Sequence, residues 1–221
     1  MSEQNSDNAI ITIGKDKLAT LPAASCTAGI VVVDRLESVD AAIDELRKAD
    51  IIGFDTETRP SFKKGQTFGV ALIQLATPSI CYLFRINQIG LPQQLIDLLE
   101  DPNLLKVGVS IHDDFHQLSK LAKINPQSFV DLQSFVKGYK IADNSLSRIH
   151  GILFGERVSK GQRLTNWEAP ELTEQQQRYA ALDAEACIKI YKFLQEGKFD
   201  PYTSEYLTFP APPESNPENE S

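Results

Sequence analysis

Short runs of apolar residues, many of them β-branched or aromatic, dominate the first half of the chain. Such runs are typical of buried strands, and they predict strands at residues 30–33, 51–58, 70–76 and 80–86. Only residues 77–79 separate the last two of these strands. Because connections this short join antiparallel neighbours, the three strands from residue 51 onward predict an antiparallel meander.

From Pro92 onward the apolar residues recur with the spacing of amphipathic helices, interrupted by two further strand-like runs. Thr173 and Gln176 have the spacing of a capping box at the start of the longest helix. A meander followed by alternating strands and helices predicts an α/β fold, in which a mixed central sheet, an antiparallel meander plus parallel strands, is flanked by helices. The predicted helices are 92–101, 112–122, 132–139, 145–154 and 173–196, with strands at 104–109 and from 129. Further patterns predict an edge strand at 10–13, a helical turn at 16–21 and a helix capped by Ser38 or Asp40.

The chain has 221 residues, of which 42% are hydrophobic, enough for one sizeable core. Its net charge of -8 argues against a protein that coats nucleic acid by bulk electrostatics, although a local basic patch could still hold a strand end. No apolar run is long enough to cross a bilayer, and the N-terminus, with Glu3 and Asp7, does not resemble a secretory signal. Cys26, Cys81 and Cys187 have the spacing of ordinary buried thiols in a reducing compartment. We therefore expect an intracellular protein, cytoplasmic if its source is prokaryotic, with no membrane partner.

Two carboxylates, Asp55 and Glu57, follow the apolar run that begins at residue 51. Because side chains alternate along a strand, both point to one face, while Phe54 and Thr56 point to the other. Neighbouring buried acids repel each other and lose hydration unless a positive group lies between them. Two interpretations follow: the strand runs out into solvent, or the pair holds a divalent cation such as Mg²⁺, which prefers carboxylate oxygens.

Two further acidic elements occur later in the chain. Asp113 and Asp114 open a helix directly after a strand, where capping and the helix dipole favour acids without any ligand, although one of the two could be free to bind one. Tyr179 and Asp183 are four residues apart in the longest helix and therefore share a face. Asp183 lies among alanines and other apolar residues, where a buried carboxylate needs a partner charge. Its position therefore favours a functional role.

Taken in order, the three elements FDTET, VGVSIHDDF and YAALD resemble the DEDD superfamily of 3′-to-5′ exonucleases, in the branch with a tyrosine in the third motif. The segments VALIQL, CYLF and LTNW are also similar to the group that contains ribonuclease D and the Werner-syndrome exonuclease. The resemblance covers roughly residues 31–194. It implies a ribonuclease H-like fold, two Mg²⁺ or Mn²⁺ ions, and hydrolysis of terminal phosphodiesters of DNA or RNA that releases nucleoside 5′-monophosphates from a 3′ end.

The resemblance also implies a division of the chain. We expect an N-terminal extension at 1–27, the exonuclease domain at 28–200 and a disordered tail, rich in proline and glutamate, at 201–221. Neither a helicase region nor a C-terminal helical nucleic-acid-binding domain accompanies the motifs. We therefore expect modest affinity for the substrate, or a protein partner whose identity is open.

The resemblance assigns roles to residues of all three motifs. The expected catalytic residues are Asp55, Glu57, Asp114, Tyr179 and Asp183, and the four acids among them are the expected metal ligands. Two metal ions can clamp the attacking and leaving oxygens of an in-line displacement at phosphorus. One ion, on Asp55, Glu57 and Asp183, would activate a water, and the other, on Asp55 and Asp114, would neutralise the leaving 3′ oxygen. Tyr179 would orient the water rather than act as a base, since a free phenol titrates near about 10.

The assignment within the second motif and the contacts with the substrate leave alternatives open. Asp114 aligns with the family's aspartate, which leaves its neighbour Asp113 as the residue that starts the helix. Phe115 and His116 could stack on the terminal base, although core packing explains Phe115 equally well. The expected substrate-binding residues are Thr56, Phe115, His116, Lys160 and Arg163, and Lys63, Lys64 and Arg148 are further candidates for phosphate contacts or simply solvated charges.

Two other functions fit parts of the sequence. His112 and His116 are four residues apart with acids between them and could belong to a zinc hydrolase. A non-catalytic nucleic-acid-binding module on the same fold is the second alternative. The expected partner is a single-stranded or 3′-end nucleic acid. No motif distinguishes DNA from RNA, because none is directed at the 2′-hydroxyl.

Overall fold

A computed structural model describes residues 8–209 of the chain. This part of the chain contains the strands β1 (Ile10–Ile11), β2 (Gly29–Val33), β3 (Ile51–Thr58), β4 (Val70–Ala76), β5 (Ile80–Phe84), β6 (Leu105–Gly108), β7 (Phe129–Asp131) and β8 (Leu207–Thr208). Six of them form one sheet in the order β2-β5-β4-β3-β6-β7. β3, β4 and β5 are the predicted antiparallel meander, whereas β2 runs parallel to β5, β6 to β3 and β7 to β6. The predicted mixed sheet is confirmed.

Helices cover both faces of this sheet. The helices of the described residues are α1 (Lys15–Thr20), α2 (Val39–Leu46), α3 (Ile86–Ile89), α4 (Gln93–Leu99), α5 (Ile111–Leu118), α6 (Leu132–Phe135), α7 (Leu146–Phe154) and α8 (Glu174–Gln195). The alanines of α8 share a core with Ile51, whereas α2 and α4 share a second core with Ile52 and Phe54. Because successive residues of β3 enter different cores, this central strand is buried on both faces, as its continuous apolar run predicts. None of these helices is both long and apolar enough to cross a membrane.

Most predicted elements are present, with changes at their ends. The strand expected at 80–86 ends at Phe84, because the carbonyl of Arg85 already accepts the hydrogen bonds that start the turn of α3. The helix expected at 112–122 is shorter, and the segment at 132–139 is α6 followed by a 3-10 turn. Ser38 precedes α2 but makes no capping hydrogen bond with its side chain. The capping box of α8, formed by Thr173 and Gln176, is confirmed.

The two ends of the described chain are part of the fold, which corrects the predicted boundaries. β1 pairs antiparallel with β8, and Ile11 and Ile13 are fully buried in the core on the α8 face. The disorder predicted from residue 201 is therefore wrong for residues 201–208, which form a 3-10 turn and β8. The prediction took the composition of the last residues for the whole segment, although the backbone of β8 has a strand partner. Residues 1–7 and 210–221, and the predictions that fall on them, lie outside the described residues.

One close contact between β3 and α8 determines where the acidic motifs meet. A Cβ atom on Gly53 would lie 1.9 Å from the backbone oxygen of Ala184, so only glycine allows the strand and the helix to approach this far. Gly53 lies two residues before Asp55, and Ala184 directly follows Asp183. The backbone contact therefore brings the first and third motifs together.

Candidate active site

Three carboxylates from distant parts of the chain meet at the contact between β3 and α8. The side-chain oxygens of Asp55, Glu57 and Asp183 lie within 4.8 Å of one another. Asp55 and Glu57 point to the α8 face because they alternate along β3 with Phe54 and Thr56. Glu57 and Asp183 are 8% and 6% exposed, so the strand does not simply run out into solvent. Of the two interpretations of the acidic strand, the one with a cation between the acids has support.

The electrostatics of these acids indicate negative charge that lacks compensation. Burial, followed by repulsion from Asp183, raises the pKa of Asp55 well above its ordinary value. Burial and the charges of Asp55 and Asp183 raise the pKa of Glu57 to about 9, against the opposing charge of Arg163. Burial also raises the pKa of Asp183 to about 7, although a hydrogen bond from Tyr179 and the charge of Lys160 oppose the shift. Within residues 8–209, none of the three carboxylates takes part in an ion pair.

Asp114 reaches the same cavity from α5, on the other side of β3. Its Oδ1 accepts a hydrogen bond from the hydroxyl of Thr56, which points away from the face that carries Asp55 and Glu57. Burial, and then the charge of Asp55, raise the pKa of Asp114 to about 8. Asp114 is therefore coupled to Asp55 but lies outside the group of three carboxylates. Its exposed neighbour Asp113 also lines the cavity.

The start of α5 is capped by a residue that the sequence analysis did not identify. The carboxylate of Asp131, at the end of β7, accepts hydrogen bonds from the backbone N–H groups of Ser110 at 3.4 Å and Ile111 at 3.2 Å. Ser110 has a left-handed backbone, with φ of 61°. Because Asp131 serves as the cap, neither Asp113 nor Asp114 has to do so, and Asp114 is free to face the cavity.

A second residue that the sequence analysis missed lies beside Asp55 in the sheet. Gln74 of β4 is the cross-strand partner of Asp55, and the two side chains lie on the same face. Gln74 is fully buried, and neither of its amide atoms has a hydrogen-bond partner in the described chain. The signal was available: a glutamine interrupts the otherwise apolar run of residues 70–76.

The acids line a cavity of about 420 Å³ that also contains positive charge. Lys160 and Arg163, both exposed, lie in its wall, together with Thr56 and Tyr179. The cavity thus combines buried anionic groups at its base with mobile cations at its rim, a combination suited to a ligand that carries phosphate and needs a cation bridge.

Tyr179 contributes a hydrogen bond to this group. Its hydroxyl bonds to Asp183 one turn along α8, and its ring lies 6.0 Å from that of the buried Trp167. Burial, and then the charges of Asp183 and Glu57, raise the pKa of Tyr179 above its ordinary value. The phenol is therefore protonated at neutral pH and acts as a donor.

Several of the expected substrate contacts lie elsewhere. Phe115 packs edge-on against Phe129, with ring centroids 4.7 Å apart, and also contacts Phe54. Neither Phe115 nor the exposed His116 lines the cavity, so the geometry favours the core-packing interpretation of Phe115. Arg148 donates to Asp143 at 2.6 Å and is therefore already paired.

The zinc interpretation gains no support from the described residues. His112 and His116 are both exposed. The one group of potential metal ligands that residues 8–209 bring together consists of Asp55, Glu57 and Asp183 and contains no histidine. A set of three carboxylates is typical of hard cations rather than zinc.

The known proteins that this chain resembles are exonucleases. A family model described as 3′-5′ exonuclease matches residues 30–197. Over 155 residues the chain is 37% identical to the bifunctional 3′-5′ exonuclease/ATP-dependent helicase WRN of Mus musculus, which covers 67% of this chain and 11% of that protein. Over 152 residues it is 36% identical to a 3′-5′ exonuclease of Arabidopsis thaliana, which covers 66% of this chain and 52% of that protein. The chain thus spans 11% and 52% of the lengths of these two relatives.

Solved structures agree on the fold. The Aedes aegypti Nibbler EXO domain superposes with a TM-score of 0.72 at 23% identity, over 81% of this chain and 96% of that one. Escherichia coli RNase D gives a TM-score of 0.68 at 21% identity, over 76% of this chain and 44% of that one. The predicted ribonuclease H-like fold is confirmed.

Proposed function

We infer the chemistry of this site from its geometry together with its family: the chain belongs to the 3′-5′ exonucleases of the DEDD superfamily and is an enzyme. We propose that it hydrolyses the terminal phosphodiester at the 3′ end of DNA or RNA with the help of two divalent cations, Mg²⁺ or Mn²⁺, and releases nucleoside 5′-monophosphates. The observation that carries this proposal is the group formed by Asp55, Glu57 and Asp183, with Asp114 beside it.

The residues present fit divalent cations. All four acids offer carboxylate oxygens, their pKa values are raised by burial, and their mutual repulsion is what a bound cation would remove. Asp55, Glu57 and Asp183 would hold one cation, and Asp55 with Asp114 the other. When bound, these cations would stabilise negative charge on the phosphate and lower the pKa of a water molecule.

The other residues of the cavity would bind and orient the substrate. Lys160 and Arg163 are in reach of phosphate oxygens of a strand whose end lies over the acids. Tyr179 holds its proton and donates to Asp183, so we assign it to fixing that carboxylate and the attacking water rather than to removing a proton. Thr56 is assigned to holding Asp114 through its hydroxyl.

The test of this proposal is the shortening of a strand labelled at its 5′ end. With Mg²⁺ or Mn²⁺, the protein should produce a ladder of products shortened from the 3′ end and release nucleoside 5′-monophosphates, and a chelator should stop the reaction. Asp183→Asn should lower the rate by at least about 100-fold, because even residues that only support a metal ligand change activity by about 10- to 100-fold. A folded protein that binds the strand but shortens it under no metal condition would instead be the non-catalytic binding module.

The assignment within the second motif has its own matched pair of variants. We expect Asp114→Asn to abolish most of the activity and Asp113→Asn to retain it, because only Asp114 is bonded to Thr56 and coupled to Asp55. The reverse result would move the ligand to Asp113. Both rates should be compared at saturating Mn²⁺, so that a modest loss of metal affinity is not mistaken for loss of a ligand.

The choice between RNA and DNA is a separate measurement. One structure to which this chain is similar, with a TM-score of 0.64 at 21% identity, is a complex of Trypanosoma brucei RNase D with RNA U12. We therefore include RNA among the proposed substrates, and rates on DNA and RNA oligomers of matched sequence will decide. The three cysteines are unpaired, which supports the proposal of a reducing, intracellular compartment.

A further inference from the structure

A groove beside the active site combines exposed apolar side chains with positive charge. It lies between the segment that joins β3 to β4 and the segment around residue 164, with a volume of about 380 Å³. Phe62 and Leu164, which line it, are 79% and 65% exposed, the highest values of any large hydrophobic side chain in residues 8–209. Two such side chains at one place indicate a surface that binds something.

The charge of this groove is unlike that of the whole protein. Its lining contains Arg59 and Lys63 and no carboxylate, whereas the chain as a whole has a net charge of -8. Lys63 and the adjacent Lys64 are exposed, and neither has an ion pair within the described residues. Arg59, by contrast, is held at 3.1 Å by Glu168 and lies over the ring of Phe68, so it helps to shape the wall. The groove therefore favours an anionic ligand with planar apolar groups.

The groove is continuous in sequence with the active site on both of its sides. Arg59 follows Glu57 by two residues, and Leu164 directly follows Arg163, which lines the acidic cavity. A strand whose last phosphate lies at the acids would thus reach the groove with the nucleotides before its 3′ end. Aromatic faces that stack on bases, flanked by lysines that contact phosphates, are the usual elements of single-strand binding.

We propose that this groove binds the nucleotides upstream of the 3′ end, with a base stacked on Phe62 beside Leu164 and with phosphates near Lys63 and Lys64. The inference rests on the proposed exonuclease function, and it adds that the substrate has an unpaired segment of several nucleotides. It distinguishes the enzyme's grip on the strand from its chemistry. Loss of the groove should weaken binding of long strands and leave the reaction at the acids intact.

The test compares a long and a short substrate. A 20-nucleotide single strand spans both sites, whereas the p-nitrophenyl ester of thymidine 5′-monophosphate occupies only the acidic cavity. Phe62→Ala should raise KM for the strand about 5- to 100-fold, the effect of losing one base–aromatic stack, with kcat little changed. It should leave kcat/KM for the short ester unchanged, and Phe62→Trp should behave like the wild type. Tyr202→Ala is the matched control, because Tyr202 is an exposed aromatic residue, 58% exposed, that lines neither cavity.

The lysines are tested by salt dependence. Changing both Lys63 and Lys64 to Gln should reduce the slope of log affinity against log salt by roughly 1.4, since each lost phosphate contact on a single strand contributes roughly 0.7. Binding is measured by fluorescence anisotropy of the labelled strand on an Asp183→Asn background, so that no cleavage occurs during the titration.

The outcomes separate this inference from the proposed function. An unchanged KM for the strand in Phe62→Ala, with a normal melting temperature, would overturn the groove assignment even if the wild type is active. If Phe62→Ala instead dissociates an oligomer in sedimentation and leaves KM unchanged, the groove is a contact between protein copies and the inference is also wrong. If the wild type cleaves neither substrate, the proposed function fails, while the anisotropy titration still decides whether the groove binds a strand.

Discussion

Residues 55–57 show how three consecutive side chains divide one task between the two sides of a strand. Asp55 and Glu57 face α8 and join Asp183, while Thr56 between them faces α5 and donates to Asp114. Thr56 was expected to contact substrate, and its observed partner gives it a different role, since it holds a proposed metal ligand. This hydrogen bond also lowers the pKa of Asp114 and so favours the charged form that a cation needs.

Thr56→Val keeps the shape of the side chain and removes this hydrogen bond. We expect the affinity for Mn²⁺ to fall about 10- to 100-fold, as is usual when the partner of a metal ligand is lost, and activity to return at high Mn²⁺. Isothermal titration of the metal and activity against metal concentration check this result. Thr56→Ser, which retains the hydroxyl, is the control, and a Val variant that binds Mn²⁺ like the wild type would show that Asp114 needs no such support.

Tyr179 allows a second test at the scale of one atom. Because its pKa is raised, its hydroxyl does not ionise near neutral pH, and its role should be that of a donor to Asp183. Tyr179→Phe should lower kcat about 10- to 100-fold without moving the pH dependence of the reaction. The measurement is a full pH–rate profile for both proteins. Loss of a basic limb in the Phe variant would mean that the phenol does transfer a proton.

At the scale of elements, the site depends on how closely α8 lies against β3. Gly53→Ala would put a Cβ atom 1.9 Å from the backbone oxygen of Ala184, so the helix must move away. We expect the free energy of unfolding to fall by about 3 kcal/mol or more. We also expect the remaining folded protein to lose at least about 100-fold in activity, since a shift of about 1 Å at reacting groups has effects of this size.

The control for Gly53 is Gly14→Ala. A Cβ atom on Gly14 would meet nothing within 4 Å, and its φ of -65° suits any residue. Urea unfolding and the rate on a labelled strand are measured for both variants. If Gly53→Ala keeps the stability and rate of Gly14→Ala, the close contact does not determine the position of Asp183.

The elements could be predicted from the sequence because burial leaves a period in the chain. The strand at 70–76 and the capping box of α8 are local patterns, and both are confirmed. The cap of α5 by Asp131 could not be predicted, because Ile111 and Asp131 meet only once β7 has paired with β6. The surroundings of Phe115 depend on the same pairing, through Phe129. Residue types thus indicated the acids, whereas their supporting contacts depend on the assembled sheet.

For the whole molecule, composition was a poor guide to boundaries and to charge. The low hydrophobicity of the last residues suggested a tail from 201, yet β8 pairs with β1 and the neighbouring Ile13 is fully buried. A net charge of -8 argued against bulk binding of nucleic acid, yet Lys160 and Arg163 lie at the mouth of the acidic cavity. Both differences arise because an average over the chain does not contain the position of individual residues in the fold.

The same acids link the stability of the whole protein to pH and to metal. The pKa values of Glu57 and Asp114, about 9 and about 8, lie above the ordinary value of a carboxyl group. Between pH 6.5 and 8 the folded, metal-free protein therefore binds protons that the unfolded chain has already lost. Stability must then fall as pH rises, by about 1.4 kcal/mol per pH unit for each extra proton. This window avoids His150, whose lowered pKa acts in the opposite direction at lower pH, and most of the opposite effect of Lys106, whose pKa is lowered to about 8.

We therefore expect the free energy of unfolding of the metal-free protein to decrease from pH 6.5 to 8, and Mg²⁺ or Mn²⁺ to restore it most strongly at pH 8. Cation binding requires the charged carboxylates, so its stabilisation grows as pH rises while the repulsion it relieves grows as well. Urea unfolding with a chelator and with each metal, at four pH values, gives both slopes. Glu57→Gln should make the metal-free slope shallower, because it removes one of the groups that take up a proton. A metal-free stability that is flat or rises across this window would mean that the acids are already compensated within the protein and need no cation.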